Sequence, residues 1–247
     1  MYKNLKILAI VPARGGSKGL PNKNILPLAG HPLIAYSIEA GKQSKYIDRV
    51  LVTTDSEAIA EASRKYGADV PFMRPAHLAA DLSTDVEAFM HALQWLDDNE
   101  NYRPDIIVQL RPTSPIRFAE EIDQCIERLV DTPDATAIRA VTLSPNTPYK
   151  MWRLGTSETD FMQPLLSVDG IPEPYNEPRQ NLPKVYWQTG TLDMFRREVL
   201  MENKSMTGRK LLPYVMDSAL AIDIDEIESF RKAEALLPKL NCIKFKE

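Results

Sequence analysis

A cationic, glycine-rich segment near the start of the chain, VPARGGSKGLPNKN (residues 11–24), has the residue types that bind phosphate. It carries three cations and no acid, although the whole chain has a formal net charge of −4. Glycines let successive backbone N–H groups converge on an anion while lysine and arginine side chains neutralise it. Neither GxxxxGK[ST] nor GxGxxG is present, so the segment fits neither of these phosphate-binding signatures. A solvent-exposed basic turn is the alternative interpretation.

A second polar segment, QLRPTSPIR, runs from Gln109 to Arg117 and follows an apolar run that predicts a strand. Arg111 and Arg117 could bind a carboxylate or a phosphate through their paired N–H groups. Alternatively, the prolines stiffen a turn, and Thr113 or Ser114 caps the following helix. The residues alone leave both interpretations open.

Two carboxylates lie near the end of the chain. Asp223 and Asp225 flank Ile224, so they point to the same side of an extended segment. Carboxylates at this spacing can share one Mg²⁺ ion, whose remaining ligands are water and phosphate. Asp225 followed by Glu228 also fits a helix N-cap with its capping-box partner. The cap accounts for Asp225 but not for Asp223, so the pattern favours a metal site.

The elements that position these segments are predicted by apolar runs that alternate with helical patterns. Strands are predicted at residues 7–11, 49–54, 105–110, 135–141, 191–195 and 211–215. Helices are predicted at residues 56–62, 83–98 and 119–129, and from Ile224 onward. This alternation indicates an α/β fold with a mostly parallel, doubly wound sheet. Ligands of such sheets bind at the C-terminal ends of strands, where the segments with Arg14 and Arg111 lie.

The alternation fails in a proline-rich segment from about residue 142 to 184. A loop of that length inside a compact domain is unusual and often functional. Its apolar side chains need burial that the sheet does not supply: Met151, Trp152, Leu154, Phe161, Met162, Leu165 and Leu166. We therefore expect a single domain, residues 1–247, in which the insertion 142–184 forms a homodimer. Pro178-Arg179-Gln180, at its end, by itself indicates only an exposed linker.

Composition limits the classes of function. Of the 247 residues, 44 % are hydrophobic and 26 % are charged, which is typical of a globular protein. The pI of about 5.6 argues against a nucleic-acid-binding protein, and no apolar run is long enough for a membrane span or a secretory signal. The two cysteines imply no disulfide framework, and the three histidines lack metal-ligand spacing. We expect a cytoplasmic enzyme without nucleic-acid or membrane partners.

Taken in order, six segments resemble the acylneuraminate cytidylyltransferases, or CMP-sialic acid synthetases. They are VPARGGSKGLPNKN at 11–24, VTTDS at 52–56, RPAHLAADLST at 74–84, LRPTSPIR at 110–117, EPRQNLP at 177–183 and IDID at 222–225. Members of this family react CTP with a nine-carbon 2-keto sugar acid and release pyrophosphate. The resemblance implies a Rossmann-like nucleotidyltransferase fold, Mg²⁺ as cofactor, and CTP and a nonulosonic acid as substrates.

The resemblance also implies which residues bind the nucleotide. The first loop matches the triphosphate-binding loop of the family at Arg14, Ser17, Lys18, Lys23 and Asn24. The cytidine side is matched by Arg74, Ser83 and Thr84. Arg14 and Lys23 are expected to be catalytic, because they face the pyrophosphate that leaves.

Sugar and metal residues follow from the same resemblance. Arg111 falls close to the sugar. Arg179 and Gln180 match a sugar-facing pair, carried by the dimerisation insertion, that reaches the neighbouring active site. Asp223 and Asp225 match the Mg²⁺-binding aspartates and are expected to be catalytic.

Three positions depart from the family pattern. Arg111 replaces a common Gln, and Thr189-Gly190 stands where many members have Asn-Gly. Asp85 occupies a position often held by Ser. The sugar acid therefore stays open among N-acetylneuraminate, legionaminate, pseudaminate and their relatives. The alternatives are a cytidylyltransferase of the CMP-Kdo type, or for another acid, and a non-catalytic module that binds a nucleotide or a sugar acid.

Overall fold

The computed structural model describes residues 1–17, 19–157 and 159–245. Within these ranges the main sheet consists of β1 (Ile7–Pro12), β4 (Arg49–Thr53), β5 (Ile106–Gln109), β6 (Ala137–Leu143), β9 (Tyr186–Arg196) and β10 (Leu211–Val215). Two short hairpins are formed by β2 (Pro27–Leu28) with β3 (His31–Pro32) and by β7 (Trp152–Arg153) with β8 (Gln163–Pro164). The α-helices are α1 (Leu33–Gln43), α2 (Glu57–Lys65), α3 (Asp85–Glu100), α4 (Ala119–Val130), α5 (Arg197–Asn203) and α6 (Ile227–Leu236).

The main sheet has the strand order β10-β6-β9-β5-β1-β4. β1 pairs in parallel with both β4 and β5, and β10 pairs in parallel with β6. β9 lies antiparallel between β5 and β6, so among these six strands it is the one that reverses direction. The predicted α/β fold with a mostly parallel sheet is confirmed.

Helices cover both faces of this sheet, because its strands carry apolar side chains on both sides. Alternate residues of a strand point to opposite faces. Ile7 and Val11 of β1 pack in the cluster that holds residues of α1, α2 and α4. Leu8 and Ile10 pack on the other face, with α3 residues such as Phe89. The doubly wound arrangement follows from this two-sided burial and leaves the ends of the strands as the place for a ligand.

Most predicted strands and helices lie within a few residues of the observed ones, but α1 and α5 have no counterpart in the prediction. Residues 33–41 of α1 are all buried. A helix that is buried all round lacks the polar face whose period identifies an amphipathic helix in a sequence. α5 is a short extension at the end of β9, with only seven residues to show a period. Neither helix could therefore be recognised from its pattern.

The last helix begins later than predicted and has a different cap. Glu226 is the N-cap of α6, and Ser229 completes its capping box. The alternative in which Asp225 caps the helix with Glu228 as its partner is therefore wrong. Ile224 explains the shift, because its side chain is fully buried and its N–H donates to a carbonyl of the loop after β5, at 2.7 Å. These contacts keep the segment extended up to the cap.

The segment 142–184 contains little regular structure besides the end of β6 and the hairpin of β7 and β8. Several of its large apolar side chains are exposed, among them Phe161 at 93 % and Leu154 at 81 %. Trp152 packs against Tyr175, with 4.6 Å between the ring centroids. The single-domain assignment and the role of the segment in dimerisation stay predictions. Among the described residues, no helix is long and apolar enough to cross a membrane.

Candidate active site

A cavity of about 440 Å³ opens where β1 and β5 end, between their following loops and the start of α3. It brings together predicted site residues from four of the six sequence segments: Arg14, Ser17, Lys23, Asn24, Arg74, Ser83, Thr84, Arg111 and Asp225. Because the C-terminal ends of parallel strands meet at one edge of a sheet, loops distant in sequence become neighbours there. The cavity is therefore the candidate active site.

Three other predicted residues that the structure describes lie outside this cavity. Asp223 is two residues from Asp225 but does not line the cavity. Arg179 and Gln180 line a separate cavity of about 380 Å³ at the base of the insertion. Arg179 donates there to the carbonyl oxygens of Ser144 and Pro145. Lys18 lies outside the described residues. Within one chain, then, the fold does not bring the insertion pair to the nucleotide loop.

The loop after β1 is held in place by hydrogen bonds between its backbone and polar side chains. The N–H of Gly15 donates to Oδ1 of Asp55 at 2.8 Å. The buried side chain of Asn24 donates to the carbonyl of Arg14 at 3.1 Å, and so ties the two ends of the loop together. At Gly19, a Cβ atom would collide with the carbonyl oxygen of Asp225. Glycine is therefore required at 19, because there the loop approaches the aspartate segment closely.

Lys23 begins the short 3-10 turn Lys23–Ile25, and its ammonium group contacts the aspartate segment. Its Nζ atom lies 2.8 Å from Oδ1 of Asp225. The Lys23 side chain is 12 % exposed, whereas that of Asp225 is 74 % exposed. The stem of the lysine is thus covered by protein while its ammonium group faces an accessible carboxylate. Arg14 lies on the same loop, and its Nη1 atom is 3.3 Å from Oδ1 of Asp81.

Asp223 and Asp225 point away from the core because Ile224 between them is fully buried. The surrounding protein partly desolvates the accessible carboxyl of Asp223 and so raises its pKa, and the charge of Asp225 adds to this shift. A hydrogen bond from Thr113 and the charge of Lys23 oppose it. No group of three or more His, Cys, Asp or Glu side chains within the described ranges could hold a metal ion. Two carboxylates completed by water and phosphate suit Mg²⁺, so the donor set fits that ion.

The start of α3 and the loop before it form the opposite wall of the cavity. Arg74 is buried, and its guanidinium donates to the backbone oxygen and the hydroxyl of Thr53. Burial lowers the pKa of Arg74, but an arginine remains charged at neutral pH. Thr84 is the N-cap of α3, and its hydroxyl accepts from the N–H of Glu87 at 3.3 Å. Ser83 donates to a loop carbonyl at 2.8 Å. These side chains shape the wall as well as line it.

Arg117 does not line the cavity and is 2 % exposed. Its guanidinium donates to the carbonyls of Arg111 and Thr191, at 2.7 and 2.6 Å, and to the hydroxyl of Ser37 at 2.9 Å. Burial lowers the pKa of Arg117 to about 9. The hypothesis that Arg117 binds a substrate anion is therefore wrong. It instead fastens the loop after β5 to β9 and α1.

The alternative interpretation of the same loop is also wrong in its detail. The N-cap of α4 is Phe118, which forms no side-chain capping hydrogen bond. Thr113 and Ser114 are therefore not its caps. The hydroxyl of Ser114 instead lies 3.5 Å from the carbonyl of Thr189 on β9. The loop is held by contacts with distant strands rather than by the helix that follows it.

Arg111 remains on the cavity wall, where it meets another position that departs from the family pattern, one that the sequence connected with the choice of sugar acid but gave no binding role. Its Nη2 atom donates to Oδ2 of Asp85 at 2.8 Å. The buried side chain of Gln109 donates to the same oxygen at 2.9 Å. The Thr84-x-x-Glu87 capping box was the available signal, because it puts Asp85 on the first turn of α3 and hence at the cavity.

Comparison with known proteins agrees with this arrangement. A sequence model of the family described as cytidylyltransferase matches residues 8–237. The N-acylneuraminate cytidylyltransferase of Escherichia coli O18:K1:H7 is 35 % identical over 236 residues, which cover 96 % of this chain and 53 % of that protein. The CMP-N,N'-diacetyllegionaminic acid synthase of Legionella pneumophila is 33 % identical over 235 residues, covering 94 % of this chain and 97 % of that protein. The chain thus spans about half the length of the E. coli relative.

Among solved structures, a CMP:2-keto-3-deoxy-manno-octonic acid synthetase complexed with CTP is similar with a TM-score of 0.68. The similarity covers 95 % of this chain and 99 % of that chain at 16 % sequence identity, so it shows the fold alone. The Rossmann-like nucleotidyltransferase fold implied by the sequence motifs is confirmed. With the family match over most of the chain, the relation implied by the motifs is confirmed too: this chain belongs to the cytidylyltransferase family and is a nucleotidyltransferase.

Proposed function

We propose that the chain transfers CMP from CTP to the anomeric hydroxyl of a nonulosonic acid and releases pyrophosphate. The observation that carries this proposal is the single cavity in which Arg14, Lys23 and Asp225 meet, although they come from opposite ends of the chain. The relatives that act on N-acylneuraminate and N,N'-diacetyllegionaminate, by their names, are 35 % and 33 % identical over nearly all of this chain. Their acceptors support a nonulosonic acid here.

In this reaction the anomeric oxygen of the acid attacks the α-phosphorus of CTP, and the bond from that phosphorus to the pyrophosphate oxygen breaks. Such a displacement depends on positioning and charge stabilisation rather than on a covalent enzyme intermediate. Arg14 and Lys23 would stabilise the negative charge that grows on the pyrophosphate. Arg74, Ser83 and Thr84 would bind the cytidine side. The hydroxyl proton would pass to Asp223 or Asp225.

Asp223 and Asp225 would also hold the divalent metal ion, which we propose is Mg²⁺. A bound divalent ion neutralises phosphate charge and polarises the α-phosphate. Asp225 would provide an accessible ligand at the cavity, and Asp223 a partly desolvated one beside it. The ammonium group of Lys23 lies beside the carboxylate of Asp225, so the proposed phosphate-binding and metal-binding groups are neighbours.

Pyrophosphate release from CTP in the presence of Mg²⁺ tests the activity. The acids to compare are N-acetylneuraminate, N,N'-diacetyllegionaminate, pseudaminate and Kdo. We expect release with at least one of the three nonulosonic acids and formation of the matching CMP-sugar. Turnover of Kdo alone would assign the chain to the alternative acceptor. Binding of CTP without turnover of any acid would instead indicate a non-catalytic binding module.

We further propose that residues 142–184 form a homodimer interface and bring Arg179 and Gln180 to the sugar site of the neighbouring subunit. The exposed apolar side chains of the segment support this, since large exposed apolar patches commonly mark protein interfaces. The cytoplasmic location and the expected lack of nucleic-acid and membrane partners stay predictions from the sequence.

Light scattering at micromolar concentration is expected to give about twice the chain mass of 27.9 kDa. The interface should bury more than about 1,000 Å² in total. Phe161→Asp should shift the protein toward the monomer, because it puts a charge into that apolar interface. Ile227→Asp is the control, since Ile227 is also exposed but lies on α6 outside the insertion. A fully active monomer of the wild-type chain would contradict the proposal.

A further inference from the structure

Asp85 connects the interior of the sheet with the cation on the sugar side of the cavity. Its Oδ2 atom accepts from Gln109, whose side chain is almost completely buried, and from Arg111, whose side chain is 35 % exposed. Gln109 is a rigid partner, because it lies in β5 beneath α3. Gln109 therefore fixes the carboxylate of Asp85 on the side of the sheet, and this carboxylate holds the guanidinium of Arg111 on the side of the cavity.

Arg111 is also held at its backbone. Its carbonyl accepts from Nη2 of Arg117 at 2.7 Å and from the hydroxyl of Ser37 at 3.1 Å. The Arg111 side chain passes Gly190, where an added Cβ would lie 3.6 Å from Cδ and Nη1 of the arginine. With the carbonyl and Nη2 both held, few rotamers remain for the side chain.

Asp85 accepts from one nitrogen of the Arg111 guanidinium, and the other N–H groups are available to a ligand. In the part of the chain that the structure describes, Nη2 is the Arg111 side-chain atom with a protein acceptor. The Nε–H and both Nη1–H groups have none there. A guanidinium binds a carboxylate best through two parallel N–H groups in one plane. Asp85 takes one N–H of Nη2, so Arg111, on the cavity wall, keeps one edge of two parallel N–H groups, which includes the second Nη2–H.

We propose that Asp85 is a positioning residue that holds Arg111 so that the remaining edge of its guanidinium, formed by the second Nη2–H and the N–H group parallel to it, binds the carboxylate of the sugar acid. This inference rests on the proposed function, which supplies an acceptor with a carboxylate. The contact that the pair prepares is with the acceptor carboxylate, so its effect is expected on the acid rather than on CTP.

A purely structural role makes a different prediction. An acid on the first turn of a helix interacts favourably with the helix dipole, so Asp85 could act only on the stability of α3. Its loss would then lower the melting temperature and affect all substrates alike. The two roles are distinguished by the discrimination ratio, defined as kcat/KM for the acid divided by kcat/KM for its methyl ester. A positioning role predicts that this ratio falls in the variant, and a purely structural role predicts that it does not.

The experiment measures this ratio with the acid that the enzyme turns over fastest. Asp85→Ala should lower kcat/KM for the acid about 10- to 100-fold, as expected for a lost hydrogen bond to a charged group, and leave the KM for CTP and the turnover of the ester nearly unchanged. The ratio should therefore fall by the same factor. Adding Asp85→Ala to Arg111→Ala should cause no further loss, because Asp85 acts through Arg111. Asp98→Asn, on the same helix outside the cavity, is the matched control.

An unchanged ratio in Asp85→Ala, or a loss that adds in full to that of Arg111→Ala, would overturn the inference while the proposed function stands. Asp85→Leu keeps about the size of the side chain, removes the acceptor and provides the same reading if the alanine variant unfolds. Wild-type protein that turns over no acid at all would overturn the proposed function first and the inference with it. The wild-type measurement thus distinguishes the two failures.

Discussion

Asp223→Asn and Asp225→Asn are each expected to lower turnover by about 10²-fold or more, since a metal ion and the groups that hold it supply several kcal/mol of transition-state stabilisation. Each substitution removes one of the hard anionic ligands that Mg²⁺ prefers. The melting temperature should barely move, because neither carboxylate caps a helix: the N-cap of α6 is Glu226. Higher Mg²⁺ concentration should restore part of the activity.

The measurement is turnover against Mg²⁺ concentration for the wild type and both variants. Asp223→Asn is the cleaner of the two, because Asp225→Asn also breaks the ion pair with Lys23. Glu228→Gln is the matched control, since Glu228 is an exposed acid of α6 that does not line the cavity. If both variants keep the Mg²⁺ dependence of the wild type, the metal assignment is wrong.

Lys23→Ala is expected to lower kcat by about 10²- to 10³-fold, the usual result of removing one electrostatic contact to charge that develops in a transition state. Its ammonium group contacts Asp225, and most of the Lys23 side chain is buried. Stability should change little, because the carboxylate it leaves behind is mostly exposed and surface ion pairs contribute about 0–1 kcal/mol. Arg14→Ala should show a loss of the same kind.

Initial rates and circular dichroism check this prediction together. Lys232→Ala is the control, since Lys232 is an exposed lysine of α6 away from the cavity. Near-normal turnover of both Lys23→Ala and Arg14→Ala, with intact folds, would contradict this prediction. It would indicate that the glycine-rich segment is a solvent-exposed basic turn. Lost turnover with unchanged CTP binding would place the contribution of Lys23 in the transition state.

The amino-acid sequence by itself determined the features that a few neighbouring residues encode. Strand and helix patterns predicted most of the sheet, because the period of apolar residues depends only on local geometry. The glycines and cations of residues 11–24 predicted an anion-binding loop, and the six motifs in order identified the family. Gly19 shows the limit of such reasoning. Its presence signals an irregular loop, but its contact with the carbonyl of Asp225 is visible only in the folded chain.

Tertiary structure decided the role of each polar side chain that has more than one plausible partner. Arg111 and Arg117 lie six residues apart with the same charge, yet Arg111 faces the cavity and Arg117 is buried against backbone carbonyls. The pattern at Asp225 also fits a helix cap, but the burial of Ile224 keeps this segment extended and the helix is capped by Glu226. Burial and partners are properties of segments that meet from distant parts of the chain. Local pattern cannot specify them, because the free energy of a buried charge depends on the groups that surround it.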